Sequence, residues 1–182
     1  HRGAGGQNVI AKWVRILGFA TLAGAAAVFA GTGAAKADDP DFLAFGGGYF
    51  DWNRQKAPAA EFRLEYRSDK KLLIFKPLGG IMATSDGAVY AFAGIGVDVF
   101  FGRRFVVTPS FAPGYYEKGS GLDLGHELEF RSQIEFAYRF DDRSRLGLAV
   151  SHMSNASIAN ENPGTESAIL YYALPLSRIF GE

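Results

Sequence analysis

The chain contains no cysteine. Disulfide frameworks, thiolate nucleophiles and cysteine-based metal sites are excluded at once. Histidine is almost as scarce, with three in 182 residues and one of those at position 1. There is no Cys/His metal spacing, no glycine loop of the phosphate-cradling kind and no basic patch interleaved with aromatics. No cofactor, metal or nucleic-acid partner is therefore expected. An excess of one charge is missing too, because 19 Lys and Arg balance 19 Asp and Glu.

That balance hides an asymmetry. Residues 1–37 hold Arg2, Lys12, Arg15 and Lys36 and no acid, which leaves 15 basic against 19 acidic residues in 38–182. One long apolar run exists, Ile16 to Ala30, and it is shorter than the about 20 residues a membrane-spanning helix needs. A basic start, a short apolar stretch and the small-x-small tripeptide Ala35-Lys36-Ala37 are the three parts of a secretory signal peptide. Residues 1–37 are expected to be a cleavable signal peptide and 38–182 a single exported domain.

In that domain a helical stripe is lacking and alternation takes its place. Leu128, Phe130, Ile134, Phe136, Tyr138 and Phe140 occupy even positions, while Glu127, Glu129, Arg131, Gln133, Glu135 and Arg139 occupy odd ones. The same split separates Phe62, Leu64 and Tyr66 from Glu61, Arg63, Glu65 and Arg67. Strands of this length, with aromatics near their ends and glycines on the other face, point to an all-β fold, an eight-stranded antiparallel transmembrane β-barrel. The expected strands are 41–51, 59–67, 71–82, 87–100, 103–115, 125–140, 143–154 and 165–177. Their links at Ser68-Asp69-Lys70, Gly102 and Asp141-Asp142 read as tight periplasmic turns. Those near 52–58, 85–86, 117–124 and 155–164 read as outer loops, mostly longer. Eight strands leave a lumen that side chains fill, so a channel is not expected.

The chemistry concentrates near the end of the chain. His152 and Ser154 share one strand face, their Cα atoms roughly 6.5–7 Å apart, and an imidazole there can serve a hydroxyl as general base. Glu166 opens the next strand and becomes a direct or diagonal neighbour of the pair, at about 5–8 Å. All three continue columns that are otherwise apolar: Leu146, Leu148 and Val150 on one strand, Ala168, Leu170, Tyr172 and Leu174 on the other. Polar groups on a lipid-facing surface are costly unless function requires them. A solvated interfacial histidine and a loop-proximal serine would be the unremarkable alternative.

The stretch His152-Met153-Ser154-Asn155, followed by Asn162-Pro163-Gly164 and Glu166, resembles the signature region of the PagL-type lipid A 3-O-deacylases. One departure is Ser157, where members of that family often carry glycine. The resemblance implies an outer-membrane enzyme with its active site at the outer leaflet, removing the 3-hydroxyacyl chain ester-linked at position 3 of lipid A. It puts the catalytic triad on Ser154, His152 and Glu166, and lipopolysaccharide and outer-membrane lipids are the implied partners. Asn155, through its side chain or backbone N–H, and Asn162 are the candidate oxyanion donors, although Asn-Pro-Gly is also a turn signal in its own right. Arg54, Lys56 and Lys118 lie on the outer side but read as ordinary solvated surface rather than a phosphate clamp, and His126 as an interfacial aromatic. A homodimer stays open. Two rival classes remain: a non-enzymatic adhesion or structural barrel, and another lipid-modifying barrel, either an acyltransferase or a phospholipase.

Overall fold

The computed structural model describes residues 39–180. The signal peptide expected over 1–37 lies outside them. The strands are β1 (Phe42–Phe50), β2 (Ala59–Arg67), β3 (Lys76–Thr84), β4 (Val89–Gly96), β5 (Val99–Phe101), β6 (Phe105–Glu117), β7 (Leu128–Arg139), β8 (Arg145–Ser154) and β9 (Thr165–Pro175). A one-turn helix, α1 (Leu176–Phe180), follows.

Every neighbouring pair is antiparallel, and β1 pairs with both β2 and β9, which closes the sheet into a barrel. β4 and β5 are one strand of that circuit. Both lie against β6 in a single register, Gly96 opposite Ser110 and Val99 opposite Val107. The gaps in this ladder fall beside Pro113 and Pro109, which have no N–H to donate. The barrel is therefore eight-stranded, as the alternation predicts. Closure matters physically, because an open edge in hydrocarbon would leave unpaired backbone groups, each costing several kcal/mol.

Strand boundaries match the sequence reading to within three residues except at the start of the third strand. The third strand begins at Lys76 rather than residue 71, so the link from β2 is 68–75 and not a three-residue turn. The last strand stops at Pro175 and turns into α1.

Facing follows parity throughout. Glu61, Arg63, Glu65, Arg67, Glu129, Arg131, Gln133 and Glu135 are buried in the lumen, whereas Phe62, Leu64, Phe136, Tyr138, Leu148 and Leu170 are exposed outside. This is the inverse of a water-soluble barrel and suits a lipid solvent. Most of the inner charges neutralise one another, Glu129 excepted, whose two carboxylate oxygens have no hydrogen-bond partner among the described residues. Arg63 Nη1 donates to Gln133 Oε1 at 2.7 Å and to Tyr171 Oη at 2.9 Å. Arg67 bridges Glu65 and Glu135, both at 2.7 Å. Nearer the end where β1 begins, Arg145 reaches Asp39 at 2.6 Å and Asp98 at 2.9 Å, and Lys76 reaches Asp98 at 2.8 Å. Buried charges persist only when paired in this way. The other end of the lumen is sealed by apolar side chains, among them Met82, Tyr90, Phe92, Tyr116, Leu124 and Met153. The lumen is a packed core.

Candidate active site

β8 places Arg145, Gly147, Ala149, Ser151 and Met153 inward, and Leu146, Leu148, Val150, His152 and Ser154 outward. β9 continues the pattern with Glu166 outward, directly opposite His152 in the ladder. The cross-strand pair has formed: His152 Nδ1 lies 3.1 Å from Glu166 Oε1. That contact fixes the ring through one nitrogen and leaves Nε2 to exchange a proton. Ser154 follows in the same column, beside Phe130 of β7, and is buried. Its hydroxyl takes part in no hydrogen bond among the described residues. No hydrogen bond joins Ser154 and His152 in this conformation.

Gly164 governs the free edge of the imidazole. It sits at φ +61°, and a Cβ built on it would stand 3.0 Å from His152 Cε1 and 3.4 Å from Nε2. Any side chain there would push on the ring and strain its own backbone. In the sequence Asn162-Pro163-Gly164 reads only as a turn; the steric role appears once β9 folds back on β8.

The two Asn candidates do different things. Asn155 is fully buried, and its amide nitrogen donates to the carbonyls of Leu124 at 3.0 Å and Glu161 at 2.7 Å. Its Oδ1 accepts from Ser157 N at 2.9 Å, and its own backbone N–H donates to Asn162 Oδ1 at 3.1 Å. Every donor of Asn155 is therefore engaged: the bond to Leu124 ties loop 155–164 to loop 118–127, and the other two stay within loop 155–164. Asn162 Nδ2 donates one proton to Ser157 Oγ at 3.2 Å and keeps the other. Ser157 adopts φ +65°, the left-handed conformation in which glycine is at ease.

The β1–β2 loop forms a further wall that the sequence does not reveal. Trp52 N donates to Glu166 O at 3.3 Å, and Arg54 Nη2 lies 3.7 Å from Glu166 Oε1, the oxygen that also meets His152. Asp51 shapes this loop by accepting the N–H groups of Lys56 at 2.6 Å and Ala57 at 2.8 Å. Lys118 is spent within its own loop on Asp123 at 2.5 Å. The lysine's hydrogen bond, then the Gly125 N–H, hold the Asp123 carboxyl below its usual range. His126 Nδ1 accepts Leu128 N at 2.8 Å and so caps the start of β7.

A family model described as lipid A 3-O-deacylase (PagL) matches residues 45–175. The chain belongs to that family. Lipid A deacylase PagL of Pseudomonas aeruginosa is 31% identical over 84 residues, a stretch covering 46% of this chain and 40% of that protein's length. The crystal structure of the outer membrane enzyme PagL superposes with a TM-score of 0.59 at 19% identity, over 74% of this chain and 99% of that one. A de novo designed transmembrane β-barrel gives 0.51 at 12% identity, over 74% and 95%. At such identities these two likenesses speak for the barrel alone. The family assignment rests on the matched sequence.

Proposed function

We propose that this protein is an outer-membrane serine esterase that hydrolyses the 3-O-linked 3-hydroxyacyl chain of lipid A, with Ser154 as nucleophile, His152 as general base and Glu166 as its orienting carboxylate. The observation that carries this reading is the His152–Glu166 pair at 3.1 Å, lying in an outward, otherwise apolar column with Ser154 next along it. A non-enzymatic barrel has no use for an imidazole and a carboxylate held together on its lipid face.

The chemistry follows from the arrangement. Ser154 Oγ attacks the ester carbonyl while His152 Nε2 takes its proton, and Glu166 stabilises the imidazolium. The tetrahedral intermediate collapses as the proton passes to the departing sugar oxygen, leaving an acyl-serine. Water, activated by the same histidine, then releases a 3-hydroxy fatty acid and restores the serine. Asn162 Nδ2 keeps one uncommitted N–H with which to meet the oxyanion, whereas Asn155 would have to break a loop contact first. Asn155 stays the second candidate, and it also anchors the outer loops through Leu124 and Glu161.

Mass spectrometry of lipid A from cells expressing the protein tests the assignment. Loss of one 3-hydroxyacyl chain supports it, gain of a chain points to acyl transfer, and unchanged lipid A with folded protein in the membrane refutes it.

A further inference from the structure

At the end of the barrel opposite His152 and Glu166, the connection from β2 to β3 is built unlike a water-facing turn. Lys70 and Lys71 lead into Leu72, Leu73, Ile74 and Phe75, and all six side chains are exposed, Leu73 to 90%. The segment is ordered as a two-residue hairpin: Leu72 N donates to Phe75 O at 2.8 Å and Phe75 N to Leu72 O at 3.1 Å. Leu73 takes the first central position at φ +62°, a place that hairpins of this kind usually give to glycine. A glycine or asparagine would remove both the strain and the exposed apolar surface. Leu73, the most exposed large hydrophobic side chain among the described residues, instead stands at the tip of a strained turn. The two other connections at this end carry polar tips, Gly102-Arg103-Arg104 and Asp141-Asp142-Arg143.

The base of the hairpin is continuous with the barrel's apolar exterior, through Tyr66 and Leu64 on β2 and Ile81 on β3. Lys70 and Lys71 form a basic collar at its neck, beside the acids Asp69 and Asp41, the latter held at the base by Asp69 N at 2.7 Å and Tyr66 Oη at 2.8 Å. Apolar tips below a basic collar are the composition of an interfacial membrane anchor. We propose that residues 70–75 form an amphipathic prong that enters the periplasmic leaflet beside the barrel, Leu72, Leu73 and Ile74 reaching the acyl boundary while Lys70 and Lys71 meet anionic phospholipid headgroups. The prong sets the depth and tilt of the barrel, and hence the height of the opposite rim in the outer leaflet. This inference does not depend on the deacylase reading.

The lack of native cysteine makes the test direct. Leu73→Cys, carrying an environment-sensitive fluorophore, is compared with Asp141→Cys at a polar turn of the same end. Both are reconstituted as folded protein into phosphatidylcholine vesicles and into vesicles in which about a third of the lipid is anionic phosphatidylglycerol. Brominated lipids should quench the label at 73 severalfold more than the label at 141. Neutralising the collar with Lys70→Gln and Lys71→Gln should reduce the ratio of immersed to free hairpin roughly fivefold per lysine in anionic vesicles and leave neutral ones unchanged. Reversal with Lys70→Glu and Lys71→Glu, which changes two charges at each site, should reduce it roughly 25-fold per lysine. Equal quenching at 73 and 141 would overturn the proposal. So would a label at 73 shielded from water yet untouched by lipid quenchers, since another protein chain would then cover the tip, and so would indifference of the anionic vesicles to the collar charge.

Discussion

Replacing Gly164 by alanine should impair the site while sparing the barrel. The new Cβ would stand 3.0 Å from His152 Cε1 and 3.4 Å from Nε2, tighter than such contacts normally run, so the imidazole must give by a few tenths of an ångström. An alanine at φ +61° also costs about 1–2 kcal/mol of backbone strain. A catalytic group displaced by about 1 Å typically loses on the order of a hundredfold in rate, so a shift of a few tenths should cost roughly three- to tenfold. Gly87→Ala separates the two effects, because Gly87 has φ +89° and open space around its would-be Cβ. Both variants should lose similar thermal stability, and only Gly164→Ala should lose kcat/KM for release of the hydroxyacyl chain. The assay is deacylation of purified lipid A by folded protein in mixed micelles, with unfolding followed on the same samples. Equal activity in the two variants would refute the claim that Gly164 positions the ring.

Ser154→Ala and His152→Ala should each abolish turnover in folded protein, since they act as one unit, while Glu166→Ala leaves more residual activity because it orients rather than reacts; full turnover by Ser154→Ala would end the mechanism. Asn155→Ala removes two buried bonds to the carbonyls of Leu124 and Glu161 and should destabilise the outer loops by about 1–3 kcal/mol, seen as faster proteolytic nicking in 118–127 and 155–164 without opening the barrel. Single labelled cysteines at Leu148 and Val150, 63% and 47% exposed, should be quenched strongly by lipid-borne quenchers, and those at Ala149 and Ser151, 3% and 9% exposed, only weakly; the opposite pattern would put His152 and Ser154 in the lumen.

Much of this architecture is visible in the sequence because a strand has a period of two and a lipid-exposed barrel makes both faces unmistakable. Parity alone carries His152, Ser154 and Glu166 to the outside and Arg63, Glu65 and Arg131 to the inside. What escapes is whatever depends on contacts between loops. Asn155 is consumed by Leu124, 31 positions away in another outer loop, and no local pattern predicts that. Arg54 meets Glu166 only because the first and last strands adjoin at the closing seam. Leu72-Leu73-Ile74-Phe75 reads as strand by composition, yet Leu73 turns the chain with a positive φ that no residue type there announces. The two prolines of β6 break a ladder whose register they do not change, so one strand is divided without altering the barrel.

On the proposed function, Ser154 and His152 work from a column facing the bilayer, and the enzyme and its ester then share a two-dimensional phase. The quantity that sets the encounter rate is then the mole fraction of lipid A in the leaflet, not its amount per volume. Diluting the leaflet with inert phospholipid at constant bulk substrate would slow the reaction, and adding more of the same membrane would not. Crowding, phase separation and divalent-ion packing of lipopolysaccharide would act on this protein as changes in substrate supply, giving the state of the surface itself control over how far it is remodelled.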